Sequence, residues 1–443
     1  MRRRAAVLVL TVLFGWIAAA QDIPELTVDA SQSHGIISPY VYGSNMNLYT
    51  IIPMDLMDEA QQLGLKYVRF GGGDSDIQDL RESIIDLFVL QTRAIGAEPA
   101  LTVRLLGGTP QKAAEIVHYA NVEKDYGIQY WSIGNEPNLF VALMGVPRYT
   151  VDDLNREWRA IAEAMLAVDP DIRFVGPDIT QYALLNSDLE NLQYVDRGSS
   201  LDAEGRDWMV EFLRANGDLL SYVSIHRYPW PGLGREGATI DGLRRNSREW
   251  DGIVDNLRIV VQEVTGRDIP IAVTELNSNS ANSVGGAASL DSHANAIWLG
   301  DVLGRLIRQK TAIAAYWDIQ GGSNRGWGIL GRTDLRPTAH TYRMYSHFGA
   351  ELVASGPSDD PSVSIYAALR ADGVLTLMVI NLSESEQARS LSLAGFVPAG
   401  DAEVWRFDAA HPVEMIAPQR IEDDTILTVP PLSMTLYAIP PKR

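Results

Sequence analysis

Gln129-Tyr130-Trp131-Ser132-Ile133-Gly134-Asn135-Glu136-Pro137-Asn138 is a short aromatic and β-branched run that ends abruptly in polar residues. Residues 129–134 have the length and composition of a buried strand, and Gly134 and Pro137 mark a turn at its end. Seven more runs of this kind lie at 41–45, 66–70, 99–104, 173–177, 222–226, 270–275 and 313–318. Amphipathic stretches separate them. Leu56, Ala60 and Leu63 (i, i+4, i+7), and Leu299, Val302, Leu303 and Leu306 (i, i+3, i+4, i+7), each form an apolar stripe able to cover a sheet face. Eight alternating βα units over about 300 residues are what a (β/α)8 TIM barrel requires. A doubly wound open sheet would want a glycine fingerprint at its first strand–helix turn, and Tyr42-Gly43-Ser44-Asn45 supplies none.

After residue 347 the pattern changes. Runs at 362–369, 374–381, 389–393, 403–407, 425–429 and 433–439 are short, strand-like and separated by Gly, Pro, Asp and Ser. They predict an all-β sandwich over 348–443, behind a barrel spanning 41–347. Strand-like residues 25–28 and 36–37 fall in a 21–40 segment that would join that sandwich and fasten the two ends of the chain together. The β-domain is read as packing support, with a carbohydrate-binding role as the alternative.

The 443 residues are 46% apolar and 21% charged, which is globular composition. Residues 1–20 read as an export signal: Arg2, Arg3 and Arg4, an apolar run over 5–17, then Ala18-Ala19-Ala20. Its removal leaves 34 basic against 56 acidic residues. A net charge near −22 gives no source for phosphate neutralisation, so neither nucleic acid nor an anionic membrane is an expected partner. The chain is expected to be secreted or periplasmic. With no cysteine there is no thiolate nucleophile and no disulfide, and the chemistry must rest on oxygen and nitrogen. No His-Glu-x-x-His motif or EF-hand loop occurs, so no metal or other cofactor is expected.

Catalytic groups of such barrels stand at the C-terminal ends of strands. Glu136 ends the fourth run, and Glu275 ends the seventh in Ile271-Ala272-Val273-Thr274-Glu275. Strands four and seven face each other across the mouth, so the two acids can converge on one sugar from opposite sides. A glycosidic bond is cleaved by such a pair, one carboxylic acid protonating the leaving oxygen and one carboxylate meeting the oxocarbenium-like carbon. A separation of about 5 to 5.5 Å would give retention, and about 6.5 to 9.5 Å would give inversion.

Gly134-Asn135-Glu136-Pro137 after strand four, Thr274-Glu275 after strand seven and His226-Arg227-Tyr228 after strand six resemble glycoside hydrolase clan A, the retaining β-glycosidases with acids on strands four and seven. The architecture is nearest to the endoglucanase/xyloglucanase, β-xylosidase, arabinofuranosidase and heparanase-like families. The resemblance implies that Glu136 is the acid/base and Glu275 the nucleophile. It also implies that Asn135 hydrogen-bonds the sugar 2-hydroxyl, that Tyr228 holds the nucleophile and that Trp317 stacks on the sugar. Arg69, closing strand two, is the cation expected to keep Glu275 ionised, and Glu136 is expected in a drier spot beside it. His226 is expected on a sugar hydroxyl or on Glu275. Asp74 and Asp76 are candidates for hydroxyl binding or for a solvated turn. Residues 277–292 are expected to form a mobile lip, and Trp230 is a candidate for stacking. Arg104, Arg227 and Arg325 are candidates to receive an acidic sugar; a neutral poly- or oligosaccharide is the first expectation. A barrel that binds sugar without cleaving it is the competing reading.

Overall fold

The computed structural model describes residues 23–182, 201–230, 237–281, 283–321, 326–357 and 359–442. The expected export signal and Arg325 lie outside the described residues. Eight parallel strands close into a barrel: Gly43–Met46, Tyr67–Phe70, Glu98–Val103, Tyr130–Ile133, Arg173–Thr180, Leu220–Arg227, Ile271–Leu276 and Ile313–Tyr316, called here barrel strands one to eight. Pairing of Gly43 with Ala315 and Ser44 with Tyr316 joins the last strand to the first. Every strand overlaps its expected run. Strand five continues past Pro177 to Thr180, because a bulge over residues 176–179 absorbs the Gly-Pro step that reads as a break in sequence.

The pleat sorts each strand into two sides. Tyr67 faces the barrel interior while Val68 and Phe70 join the outer core beneath the helices. Tyr67, Ala100, Tyr130 and Ala272 belong to one interior cluster, and rings of Tyr40, Tyr67, Tyr130 and Tyr222 meet at centroid distances of 5.4–5.9 Å. Two residues further along the same strands stand Arg69, Thr102, Ser132, Ser224 and Thr274, all buried. A period of two thus stacks a polar layer on an aromatic plug, at the C-terminal end where the strands open.

The β-domain is one continuous nine-stranded sheet. Its order is Pro412–Gln419, Ala402–Phe407, Ser433–Ile439, Leu375–Asn381, Val363–Leu369, Glu351–Gly356, Glu25–Ile36, Gln387–Ala394 and Ile426–Val429. The sheet curls so that Leu26, Leu391 and Leu427 from one part and Leu377, Val404 and Tyr437 from the other form a single core. The N-terminal strand pairs antiparallel with Glu351–Gly356 and parallel with Gln387–Ala394, so the two ends of the chain are fastened together. Helix His293–Arg308 lies between barrel and sheet and is buried along almost its whole length. A Cβ on Gly300 would fall 2.6 Å from Met434, and one on Gly304 would overlap the Tyr366 ring. The Tyr366 hydroxyl donates to Asp301 at 2.6 Å. Such close, dry packing supports the reading of the β-domain as a brace for the barrel.

Candidate active site

Strand four ends at Ile133, and the chain then turns through two left-handed residues, Gly134 (φ 78°) and Glu136 (φ 50°). Proline at 137 favours extended backbone in the residue before it, so the left-handed conformation of Glu136 (φ 50°, ψ 53°) costs on the order of 1–3 kcal/mol. Neighbours hold it there. The Glu136 N–H donates to the Asp178 carbonyl at 3.2 Å, and the Glu136 carbonyl accepts the Leu139 N–H at 2.8 Å. One residue back, the Asn135 N–H donates to Asp76 at 2.7 Å.

Glu275 reaches the same space from strand seven. Strict alternation would send it to the opposite side of the sheet from Thr274. Register shifts against strands six and eight mark a bulge at this point, and the bulge re-aims the side chain into the mouth. Arg69 Nη1 donates to Glu275 Oε1 at 3.0 Å and the Tyr228 hydroxyl donates to Oε2 at 2.7 Å. A carboxylate oxygen of Glu136 lies within 4.8 Å of one on Glu275. Both acids, Arg69, Tyr228 and Asn135 therefore meet at one place. The Asn135 side-chain Oδ1 accepts from Arg69 Nη2 at 2.9 Å, which leaves its Nδ2, unpartnered among the described residues, as a donor for a ligand.

The two acids differ in burial, in the opposite sense to the one expected. The Glu275 side chain is 5% exposed and that of Glu136 18%. Glu136 stands outside the last strand residue at the start of a turn, whereas Glu275 is still inside the barrel wall. Burial pushes the Glu275 carboxyl above the usual range; His226 and Arg69 pull it down, Glu136 adds to the rise, and the Tyr228 hydroxyl lowers it again.

His226 sits between them. Its Nδ1 is 3.1 Å from Glu136 Oε1 and 3.7 Å from Glu275 Oε2, and its Nε2 is 3.7 Å from Asp178 Oδ1. Burial alone would drive the imidazole to neutrality. The charges of Glu275 and Asp178 and the hydrogen bond to Glu136 outweigh it and push the pKa up to about 9. The folded value lies above the ordinary 6.5, so the stabilisation is fully present below about pH 6.5 and is lost as pH rises through about 9. That difference corresponds to roughly 3 kcal/mol. His226→Asn is therefore expected to lower the urea midpoint most at pH 6 and progressively less towards pH 9.5; a deficit that stays constant across this range would contradict a charged His226.

Asp178, an acid not anticipated as part of the site, lies beneath. It receives Arg69 Nη2 at 3.0 Å, the Thr274 hydroxyl at 2.6 Å and the Ser224 hydroxyl. Asn45 was likewise not anticipated; its Oδ1 accepts from Arg69 Nη1 at 3.2 Å. The available signal was an acid set in the apolar run of strand five, hidden by ending that strand at Pro177.

Other candidates fall elsewhere. Asp76 is buried and accepts the N–H groups of Leu105, Leu106 and Asn135 at 2.7–2.8 Å, so it ties three loops together rather than meeting solvent or sugar. Burial pushes its carboxyl up to about 6 against the pull of these N–H donors. Asp74 is half-buried on the same short turn, Gly73–Asp76. Trp317, at the end of strand eight, is half-buried over Gly72, where an added Cβ would fall 2.5 Å from its ring. Arg227 points away from the acids: it pairs with buried Glu249 at 2.7 Å, since it follows His226 by one residue and faces the other side of the sheet. Arg104 donates to the Leu106 carbonyl at 2.7 Å. Trp230 is 8% exposed within the outer core, not a free stacking platform. The expected lip begins as wall: Asn277, Ser278 and Asn279 are buried, and Asn277 Nδ2 donates to the Trp317 carbonyl at 2.7 Å.

Glu136, His226 and Glu275 each offer an atom within 4.8 Å of the others, a spacing that can hold a metal ion. Here the positive charge is already supplied by Arg69, 3.0 Å from Glu275, and by a histidine that would have to lose its proton to become a ligand. The donor set suits a carboxylate pair better than a cation.

No protein-family model matches the sequence, and neither does any curated protein. The fold, in contrast, has many counterparts among solved structures, several of which are glycoside hydrolases. The chain is similar to a bifunctional glucanase-xylanase from a metagenome library, with 19% identity and a TM-score of 0.75, covering 95% of this chain and 100% of the other. It is similar to a Paenibacillus polymyxa xyloglucanase of Glycoside Hydrolase Family 44, with 17% identity and a TM-score of 0.71 over 94% and 99% of the two chains. An α-L-arabinofuranosidase from Thermotoga maritima matches at 17% identity and a TM-score of 0.70 over 93% and 99%.

Proposed function

We propose that this chain is a retaining glycoside hydrolase that cleaves bonds in a neutral poly- or oligosaccharide through a covalent glycosyl-enzyme intermediate. The observation that carries the reading is the pair of carboxylates, Glu136 and Glu275, with oxygens within 4.8 Å of each other. That spacing is well short of the roughly 6.5 to 9.5 Å that seats a water between the second carboxylate and the anomeric carbon, and so favours direct attack by Glu275. In the first step a Glu275 oxygen bonds to the anomeric carbon, the glycosidic bond breaks, and its oxygen takes the proton of Glu136. In the second, Glu136 removes a proton from water, the water oxygen bonds to the anomeric carbon, and the Glu275 ester is released. Tyr228 and Arg69 fix the attacking oxygens, and the Asn135 amide is placed for a hydroxyl beside the reacting carbon. The half-buried Trp317 ring supplies an apolar face for a pyranose, and Asp74 a hydroxyl acceptor.

Commitment of Arg69 to two carboxylates, of Arg227 to Glu249 and of Arg104 to a backbone carbonyl supports a neutral sugar over a uronic acid. Among the described residues no helix is long and apolar enough to cross a membrane, and the sequence of residues 1–20 supports export.

Replacing Glu136 by Gln tests the reading. On aryl glycosides with poor leaving groups kcat/KM should fall by about 10²–10⁴, the usual contribution of a general acid. On dinitrophenyl glycosides, which need no proton, it should change little. Equal losses on both substrate classes would remove Glu136 from the acid role. Sugar binding without turnover by the unaltered protein would favour the silent binding barrel.

A further inference from the structure

Arg69 is fully buried and carries two carboxylates at once, Asp178 on Nη2 and Glu275 on Nη1, each at 3.0 Å. Resting on the double-displacement reading above, we propose that Asp178 is a positioning residue: it is the permanent counter-ion of Arg69 that lets Glu275 give up its charge when the glycosyl ester forms.

The argument is one of charge balance. Glu275 is anionic in the free enzyme and neutral once its oxygen is bonded to the anomeric carbon. Glu136 becomes anionic in the same step but faces His226, not Arg69; with Glu275 as sole partner, Arg69 would lose its directly bonded counter-ion inside the barrel, a costly event in a protein interior. Asp178 removes that cost because its own charge never changes. It is 1% exposed, its Oδ1 accepts hydroxyls from Thr274 and Ser224, and its N–H donates to Ser224 at 2.9 Å. Burial raises its carboxyl, but Arg69, then His226 and the Ser224 hydroxyl, hold it well below the usual carboxylate range. Asp178 reaches this position only because residues 176–179 bulge and its φ is 58°. The same residue accepts the Glu136 N–H through its carbonyl. One left-handed residue of strand five thus supports both acids without standing beside the sugar. A second consequence concerns the resting enzyme: sharing Arg69 with Asp178 leaves Glu275 less tightly held, and therefore more nucleophilic, than a private ion pair would.

Asp178→Asn keeps the shape and removes the charge. The test uses dinitrophenyl glycosides of the sugar the full-length enzyme accepts, with two readouts besides overall rate: the pre-steady-state burst of dinitrophenolate, and the acidic limb of the pH profile of kcat/KM. In the unaltered enzyme dinitrophenolate leaves readily, so the ester is expected to accumulate and give a burst. In Asp178→Asn, formation of the ester should slow on the order of 10²-fold or more while its hydrolysis does not, so the burst disappears. The acidic limb should move to lower pH, because Glu275 ionises more readily with a neighbouring negative charge removed. A residue that served only to support the wall would lower Tm and total rate while leaving the limb in place and the burst intact; that result overturns the proposal alone. Should Asp178→Asn fail to fold, the double variant Ser224→Ala/Thr274→Val strips both hydroxyls from Oδ1 and should show the same shrinking burst in smaller measure; an unchanged burst there is equally contrary. If the unaltered enzyme turns over no glycoside, the double-displacement reading and this proposal fall together.

Discussion

Glu275→Gln is expected to lose turnover on every glycoside, activated or not, by on the order of 10⁴-fold or more. The amide is nearly isosteric and can still accept the Arg69 N–H or the Tyr228 hydroxyl, but it cannot bond to the anomeric carbon as a carboxylate does. The fold should survive, because Arg69 keeps Asp178 at 3.0 Å as its counter-ion. The contrast with Glu136→Gln is the useful part: a missing acid is forgiven by a good leaving group, a missing nucleophile is not. Values of kcat/KM on phenyl and dinitrophenyl glycosides, which report formation of the ester and not its Glu136-assisted hydrolysis, separate the two, with Tm as a check on folding. Activity of Glu275→Gln within tenfold of the unaltered enzyme would require another nucleophile.

Arg69→Met is expected to damage stability as well as rate. The Met side chain fills much of the same volume, but it leaves Asp178 and Glu275 buried without their guanidinium, with only His226, 3.7 Å from each, as a cation nearby, and removing one member of a buried ion pair costs about 3–5 kcal/mol. The pH dependence has a definite sign. In the unaltered protein Asp178 is held below the ordinary carboxylate range, so its contribution is present above the unfolded value of about 3.8 and is lost as pH falls through its folded value. In Arg69→Met the buried carboxyls are pushed upward and take up protons, so that protein gains relative stability as pH falls. The difference in urea midpoint should therefore be widest near pH 7 and narrower at pH 5. A difference that is absent, or that widens on acidification, would mean that Arg69 is not the charge that compensates these two acids. Turnover should also fall steeply, since Nη1 fixes Glu275 Oε1.

The barrel was legible because each parallel strand is buried on both sides and reads as a compact apolar run. The acids at 136 and 275 were legible because each closes such a run with a charge. Side was harder to read than position. His226 and Arg227 are adjacent, equally polar and both at the end of strand six, yet the pleat sends one to Glu136 and the other to Glu249. Bulges hide the rest, since they change which residue faces inward without a strong mark in the sequence. One at 176–179 brings Asp178 under Arg69, and one near Glu275 turns that side chain into the mouth. Two strands of the β-domain escaped for other reasons. Pro412–Gln419 is an edge strand that pairs on one side only and is largely exposed, so no apolar alternation was needed to form it. Glu351–Gly356 follows closely on the helix Pro337–Tyr345 and buries only Leu352 and Val353, so it carries little apolar pattern of its own. Asp76, adjacent to surface acids in sequence, proved to be a buried acceptor of three backbone N–H groups, a role that only the convergence of three loops reveals.

The most direct test of the central claim is to trap the intermediate. The enzyme is incubated with a 2-deoxy-2-fluoro glycoside carrying a dinitrophenolate leaving group, in which the fluorine slows hydrolysis of the ester more than its formation, and the protein is then weighed and mapped by peptide mass spectrometry. The account predicts one added fluoroglycosyl unit per chain, on the peptide that contains Glu275, and none in Glu275→Gln. An adduct on any other residue, or steady hydrolysis with inversion at the anomeric carbon and no adduct, would contradict it.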